Sequence, residues 1–267
     1  MSNAMKFQLL LLCALVTGAA YGQEKQSQPD KLIYAADPAN VPDAIAKVKS
    51  GDFNGVHIAM IARAGAVEAI PILKQQFSRS QDPLIKSEIA AALVRLGVKD
   101  DTYWGLLVEG ATPGLETDAP RVMRFDSQPG PSPEFVDWAK AHNITTDSAL
   151  DTLYRSALAV ALLAKTADPR GIPLLRRALL SPYFLTQAYA AEGLANIQDR
   201  ESIPLIVEAC KREPAAAAAV IAKSLVYFDD PEAQRAVDTY VPADMAKLYR
   251  KARADGKTPF GEKAPNE

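Results

Sequence analysis

An eight-residue phrase recurs at a fixed interval and constrains this chain more than any other feature. Asp168-Pro169-Arg170-Gly171-Ile172-Pro173-Leu174-Leu175 returns as Asp199-Arg200-Glu201-Ser202-Ile203-Pro204-Leu205-Ile206. It returns more faintly as Asp230-Pro231-Glu232-Ala233-Gln234-Arg235-Ala236-Val237, and the three aspartates stand 31 residues apart each time. A period of this length is the signature of stacked helix pairs, each burying its apolar face against its neighbours. The expected fold is therefore all-α, a superhelical solenoid.

The chemistry of one unit supports that reading. Asp168 is a short acceptor suited to the free amides at a helix start, and Pro169 suits the first turn. Pro173 cannot donate a backbone hydrogen bond, which places the helix start near Gly171. Leu174, Leu175, Ala178 and Leu179 then form an apolar stripe at helical spacing. Ser181-Pro182 breaks the run, and a second helix is predicted from Leu185 to Ile197. Its small residues, among them Ala188, Ala191 and Gly193, allow close helix approach. Asp199 is expected to cap the helix of the next unit.

These residues resemble the short HEAT-like repeats named after the phycobilin lyases, with an aspartate, Ile-Pro, Leu-Leu and then an alanine-rich helix. The resemblance is good from Asp168 to Phe228 and partial from Gly65 to Ala111. It implies a helical-repeat fold and is nearly silent on activity, since such scaffolds carry many functions.

Outside the repeats the chain changes character. Met1-Ser2-Asn3-Ala4 before a second methionine looks vector-derived. Met5-Lys6 followed by an apolar stretch from Phe7 to Ala20 is too short for a membrane span and fits a signal peptide, with cleavage expected before Gln23. Cys13 lies mid-stretch behind Leu10-Leu11-Leu12 rather than in a lipobox. Residues 1–22 hold one lysine and no acid, so the remaining chain carries 29 basic and 32 acidic side chains, a net charge of −3. That balance lacks the basic footprint of nucleic-acid binding. Cys210 is then the one cysteine left, expected as a small core residue. Residues 23–40 read as an extended arm, 41–255 as the solenoid and 256–267 as a flexible tail. No membrane span is expected in the mature chain.

Within the solenoid, predicted helices over Asp43–Lys49, Val56–Arg63, Val67–Phe77, Leu84–Leu96 and Thr102–Ala111 precede a break. Residues 112–146 carry five prolines and few apolar runs, so they read as an insertion. Within it, Ser132-Pro133-Glu134-Phe135 forms a helix start, with the helix running to about Ala141.

Chemistry is sparse. The two histidines, His57 and His142, lie far apart in sequence, and no Cys/His/Asp spacing fits a metal and no glycine-rich loop fits a phosphate. No catalytic residue, cofactor or metal is expected. Asp100-Asp101 and Asp229-Asp230 lie at repeat boundaries and read as helix caps. The insertion supplies the residue types enriched at binding hot spots: Arg121, Arg124, Phe125, Phe135 and Trp138. Phe135 and Trp138 serve equally well as glue holding the insertion down. The resemblance implies that second helices line a concave face, making Lys86, Tyr154, Gln187 and Tyr189 further candidate contacts. Two functions are thus expected: an exported, non-catalytic scaffold for a protein or peptide partner, or, on the resemblance, a protein handling a bilin or other small ligand.

Overall fold

A computed structural model describes residues 38–122, 131–257 and 259. The leader, most of the arm and tail, and the candidates Arg124 and Phe125 lie outside the described residues. A single 3₁₀ turn, Pro38–Asn40, leads into the first helix.

Thirteen α-helices follow among the described residues. They are α1 (Val41–Ser50), α2 (Gly55–Arg63), α3 (Ile70–Arg79), α4 (Pro83–Arg95), α5 (Asp101–Ala111), α6 (Pro133–Ala141) and α7 (Thr146–Lys165). Then come α8 (Ile172–Ala178), α9 (Phe184–Ile197), α10 (Ile203–Lys211), α11 (Ala215–Ala222), α12 (Pro231–Tyr240) and α13 (Ala243–Ala254). They pack as hairpins: α1 on α2, α3 on α4, α5 on α7, α8 on α9, α10 on α11 and α12 on α13. The second helices stack in a row, α2 on α4 on α7 on α9 on α11. This is an all-α repeat solenoid, and the insertion with α6 lies inside the α5–α7 hairpin.

The core follows the row of second helices. Ile58 and Ile61, Ile89 and Leu93, Val160 and Leu163, Leu194, and Ile221 are all at most 1 % exposed. Gly193 explains how α7 and α9 come so close, since a Cβ there would stand 2.6 Å from Ala164 Cβ. Cys210 is fully buried, and burial pushes its thiol up to about 12, so it behaves as a core residue.

The Ile-Pro phrase has a consistent local structure. Val67–Ala69, Pro169–Gly171 and Arg200–Ser202 each form a 3₁₀ turn before Ile70-Pro71, Ile172-Pro173 and Ile203-Pro204 open an α-helix. The aspartate ahead of that phrase does not always do the same work. Asp168 accepts from the Arg170 amide at 2.9 Å, and Asp230 accepts from Glu232 and Ala233 at 2.8 and 3.1 Å. Asp199 corrects the expectation: it makes no cap hydrogen bond with its side chain. Arg176 of the preceding unit grips its carboxylate at 2.8 and 2.9 Å, and the Ser202 hydroxyl donates to it as well. Burial pulls the Asp199 carboxyl upward, but these hydrogen bonds and the arginine charge outweigh it and leave it below its ordinary value.

The other paired acids divide similarly. Asp100 caps α5 through the Thr102 amide at 2.9 Å, whereas Asp229 pairs with Arg253 at 2.5 Å and Asp101 stands 3.7 Å from Arg170. Arginines near the ends of three helices also donate to main-chain carbonyls at or just past the ends of others. Arg95 reaches Lys165 at 2.9 Å, Arg212 reaches Leu179 at 2.9 Å and Arg253 reaches Val226 at 2.8 Å. Each places positive charge where the carbonyls of a helical segment point out unpaired.

Candidate functional site

The insertion begins with α5 ending at Ala111, whose carbonyl accepts from the Ser156 hydroxyl of α7. Ser132 then caps α6 by accepting from the Phe135 amide at 3.3 Å, as its sequence predicts. Phe135 and Ala139, one turn apart on α6, are fully buried against Val122 and against Ala149 and Leu153 of α7. Trp138 packs partly buried on this small core, 5.5 Å from the Phe135 ring, and its Nε1 donates to Asp118 at 2.8 Å. His142 lies over Trp138 at 4.7 Å and 3.7 Å from Asp118. Phe135 and Trp138 therefore hold the insertion to itself and to α7. The other histidine, His57, closes a capping box with Asn54 at the start of α2.

The segment before the undescribed residues crosses onto two further units. Glu116 lies 3.4 Å from Arg177 just after α8 begins its last turn. The Val122 amide donates to the Pro182 carbonyl at 2.9 Å, and Val122 forms an isolated parallel bridge with Tyr183. Arg121 reaches beyond α9 to the end of α10, where it donates to the Arg212 carbonyl and stands 3.8 Å from Glu213. Glu213 in turn accepts from Gln187 Nε2 at 2.9 Å.

This seam unites one residue predicted from the insertion, Arg121, with one predicted from the second helices, Gln187. The remaining candidates scatter. Lys86 lies 5.8 Å over the Phe77 ring, and Tyr154 is half-buried on α7. Gln187 and Tyr189 are buried, at 1 % and 8 % exposed, so neither offers itself as the open concave contact that the resemblance implied. Every residue of α9 from Phe184 to Ala195 is buried. A helix that is apolar nearly all round is an interior helix, and the single charge in α9, Glu192, pairs with Lys223 at 2.6 Å.

Glu213, Arg212 and Ser181 were not predicted. Glu213 sits before Pro214 at a helix end and looks solvated in sequence. Its side chain is 1 % exposed, bonded to Gln187, with Arg121 from 92 positions earlier in the chain standing 3.8 Å away. Trp104 was missed too; Arg170 lies 4.4 Å over its ring. Among the described residues, no three His, Cys, Asp or Glu side chains gather to hold a metal, and no helix is long and apolar enough to cross a membrane.

No curated protein and no solved structure matches the chain. The family model described as the PBS lyase HEAT-like repeat matches residues 186–212, which span most of α9, the Asp199 turn and all of α10. The match falls on the 31-residue period and on two adjacent hairpins of the stack, so that stretch is similar to a HEAT-like repeat and supports the helical-repeat fold.

Proposed function

We propose that this chain is an exported, non-catalytic scaffold that recognises another protein or a peptide where the insertion crosses α9 and α10. One observation carries the reading. The insertion is seated by its own core of Phe135, Ala139 and Val122, and it brings Arg121 over a polar seam between two repeats. A segment that only bridged α5 to α7 has no need of either. Ordered insertions on a rigid scaffold are common places for recognition. Export rests on the apolar leader before Gln23, and a periplasmic or secreted location follows from it. A mature chain from its native host that starts at Met5 in mass spectrometry would end that part of the reading.

The test of recognition is affinity capture from the native envelope extract, with residues 114–130 intact or replaced by a short Gly/Ser linker. The partner should be lost on replacement while the melting temperature of the solenoid holds. Unchanged capture would remove the insertion from the site. A second reading has one observation in its favour, the lyase named by the matched repeat: the chain handles a bilin or another small ligand. A visible absorption band in the protein purified from its host would favour it over the scaffold.

A further inference from the structure

We infer that the seam under Arg121 is a pocket for a guanidinium group offered by a peptide, with Arg121 lying across it as an internal stand-in. This rests on the reading of the insertion seam as a recognition surface and names the chemistry of its partner.

Gln187 Nε2 donates to the Ser181 carbonyl at 2.8 Å and to Glu213 Oε1 at 2.9 Å. Those two acceptors fix the amide, because turning it over would set its oxygen against two oxygens. Gln187 Oε1 is thereby left buried with no donor, and Glu213 Oε2 is buried with none either. Both side chains are 1 % exposed. Buried acceptors are normally satisfied, and two orphans on directly bonded side chains mark a place where donors are missing. Arg121 does not supply them. It donates to the Arg212 carbonyl, stays 3.8 Å from Glu213 Oε1 and remains 43 % exposed at the mouth.

The unfilled groups are a carboxylate oxygen and a carboxamide oxygen, beside a main-chain carbonyl that Arg121 already uses. All are acceptors, and one carries charge. An arginine side chain matches that set, with five N–H donors in a planar fork. Replacing Arg121 by an arginine from a partner exchanges one cation for another, so the charge beside Arg212 is unchanged. A free divalent ion gains no such compensation, and among the described residues no three His, Cys, Asp or Glu side chains gather there.

The test is calorimetric titration of the full chain with a blocked Gly-Arg-Gly peptide and with its citrulline counterpart, which keeps the shape and loses the charge. Arg121→Ala should bind the arginine peptide about tenfold more tightly than the natural chain, because the internal competitor is gone. Adding Glu213→Gln should abolish that binding, and the citrulline peptide should give no saturable heat. Arg121→Gln, which keeps a stem over the seam, replaces Arg121→Ala if the latter fails to fold. No saturable heat in either Arg121 variant would mean that the seam holds only water, and would overturn the inference. Binding that survives Glu213→Gln, equal binding of citrulline, or saturable heat from calcium chloride alone would overturn it too. Partner capture that persists while the arginine peptide fails would leave the insertion as a recognition element with a different chemistry.

Discussion

The repeats from Asp168 to Phe228 and the described part of the insertion between α5 and α7 both bury apolar side chains, yet their contacts differ in range. In the repeats each helix meets partners one or two elements away in sequence, so a short motif specifies most of its own surroundings. The insertion builds a small core from α6, Val122 and the start of α7, then attaches its strap to α8, α9 and α10. A repeat is thus stabilised by being one of many. The insertion is stabilised by where it lands, and its loss need not unravel the stack.

Three tests sharpen or break that contrast. The largest effect belongs to Leu194→Ala in α9, a fully buried truncation at the centre of the row. It should cost about 2–5 kcal/mol of global stability in denaturant melts, whereas Phe135→Ala should act locally. Phe135 is equally buried, but its loss should speed hydrogen exchange over residues 133–141 and leave the amides of α9 protected. If the two substitutions lower global stability alike, the insertion and the stack fold as one unit and the contrast fails.

Asp199→Ala comes next. As part of an inter-repeat clamp it should cost about 1–2 kcal/mol, and combining it with Arg176→Ala should add little. Additive losses would mean that the clamp contributes nothing as a pair. Because the Asp199 carboxyl sits below its ordinary value, the stability it gives is present above its unfolded pKa and fades as pH falls through the folded one.

The smallest effect concerns Glu88 in α4, whose Oε2 is buried without a partner against Gly55. Burial raises its carboxyl, opposed by Lys165 and aided by Asp82. A raised carboxyl favours the fold below the unfolded pKa, and that contribution is lost as pH rises through the folded value. Glu88→Gln should therefore raise the melting temperature near neutral pH, with the gain vanishing below about pH 4. A gain of equal size at both pH values would show that Glu88 is ionised throughout or neutral throughout.

Much of the fold is legible from the chain, for a physical reason. The Ile-Pro phrase, the small residues of α9 and the Ser132-Pro133 start each act within a few residues of themselves. Reading the function of one aspartate from another went astray at Asp199, because Arg176 outcompetes the helix amides for its oxygens, and only the preceding unit supplies that arginine. The seam was the least legible part. Gln187 looks like an open contact on a helix expected, by resemblance, to line a concave face, and Glu213 looks like a solvated helix end. Nothing near either in sequence announces that Arg121 will reach the end of α10 beside them. Phe135 and Trp138 were ambiguous by type, since an aromatic that glues and one that greets a partner carry the same ring. In the fold Phe135 is buried, and Trp138 packs partly buried beside it with its indole bonded to Asp118.

The bond from Arg95 to the Lys165 carbonyl joins the end of α4 to the end of α7, and the whole excursion of α5, the insertion and α6 lies between those two residues. The stack is therefore sewn shut beneath the excursion, and the spacing of its neighbours does not depend on how much chain is paid out above. Doubling such a loop costs only about 0.6 kcal/mol of closure entropy. Length at this one hairpin is a free variable, and foreign segments grafted between Ala111 and Thr146 should leave the register of every other unit untouched.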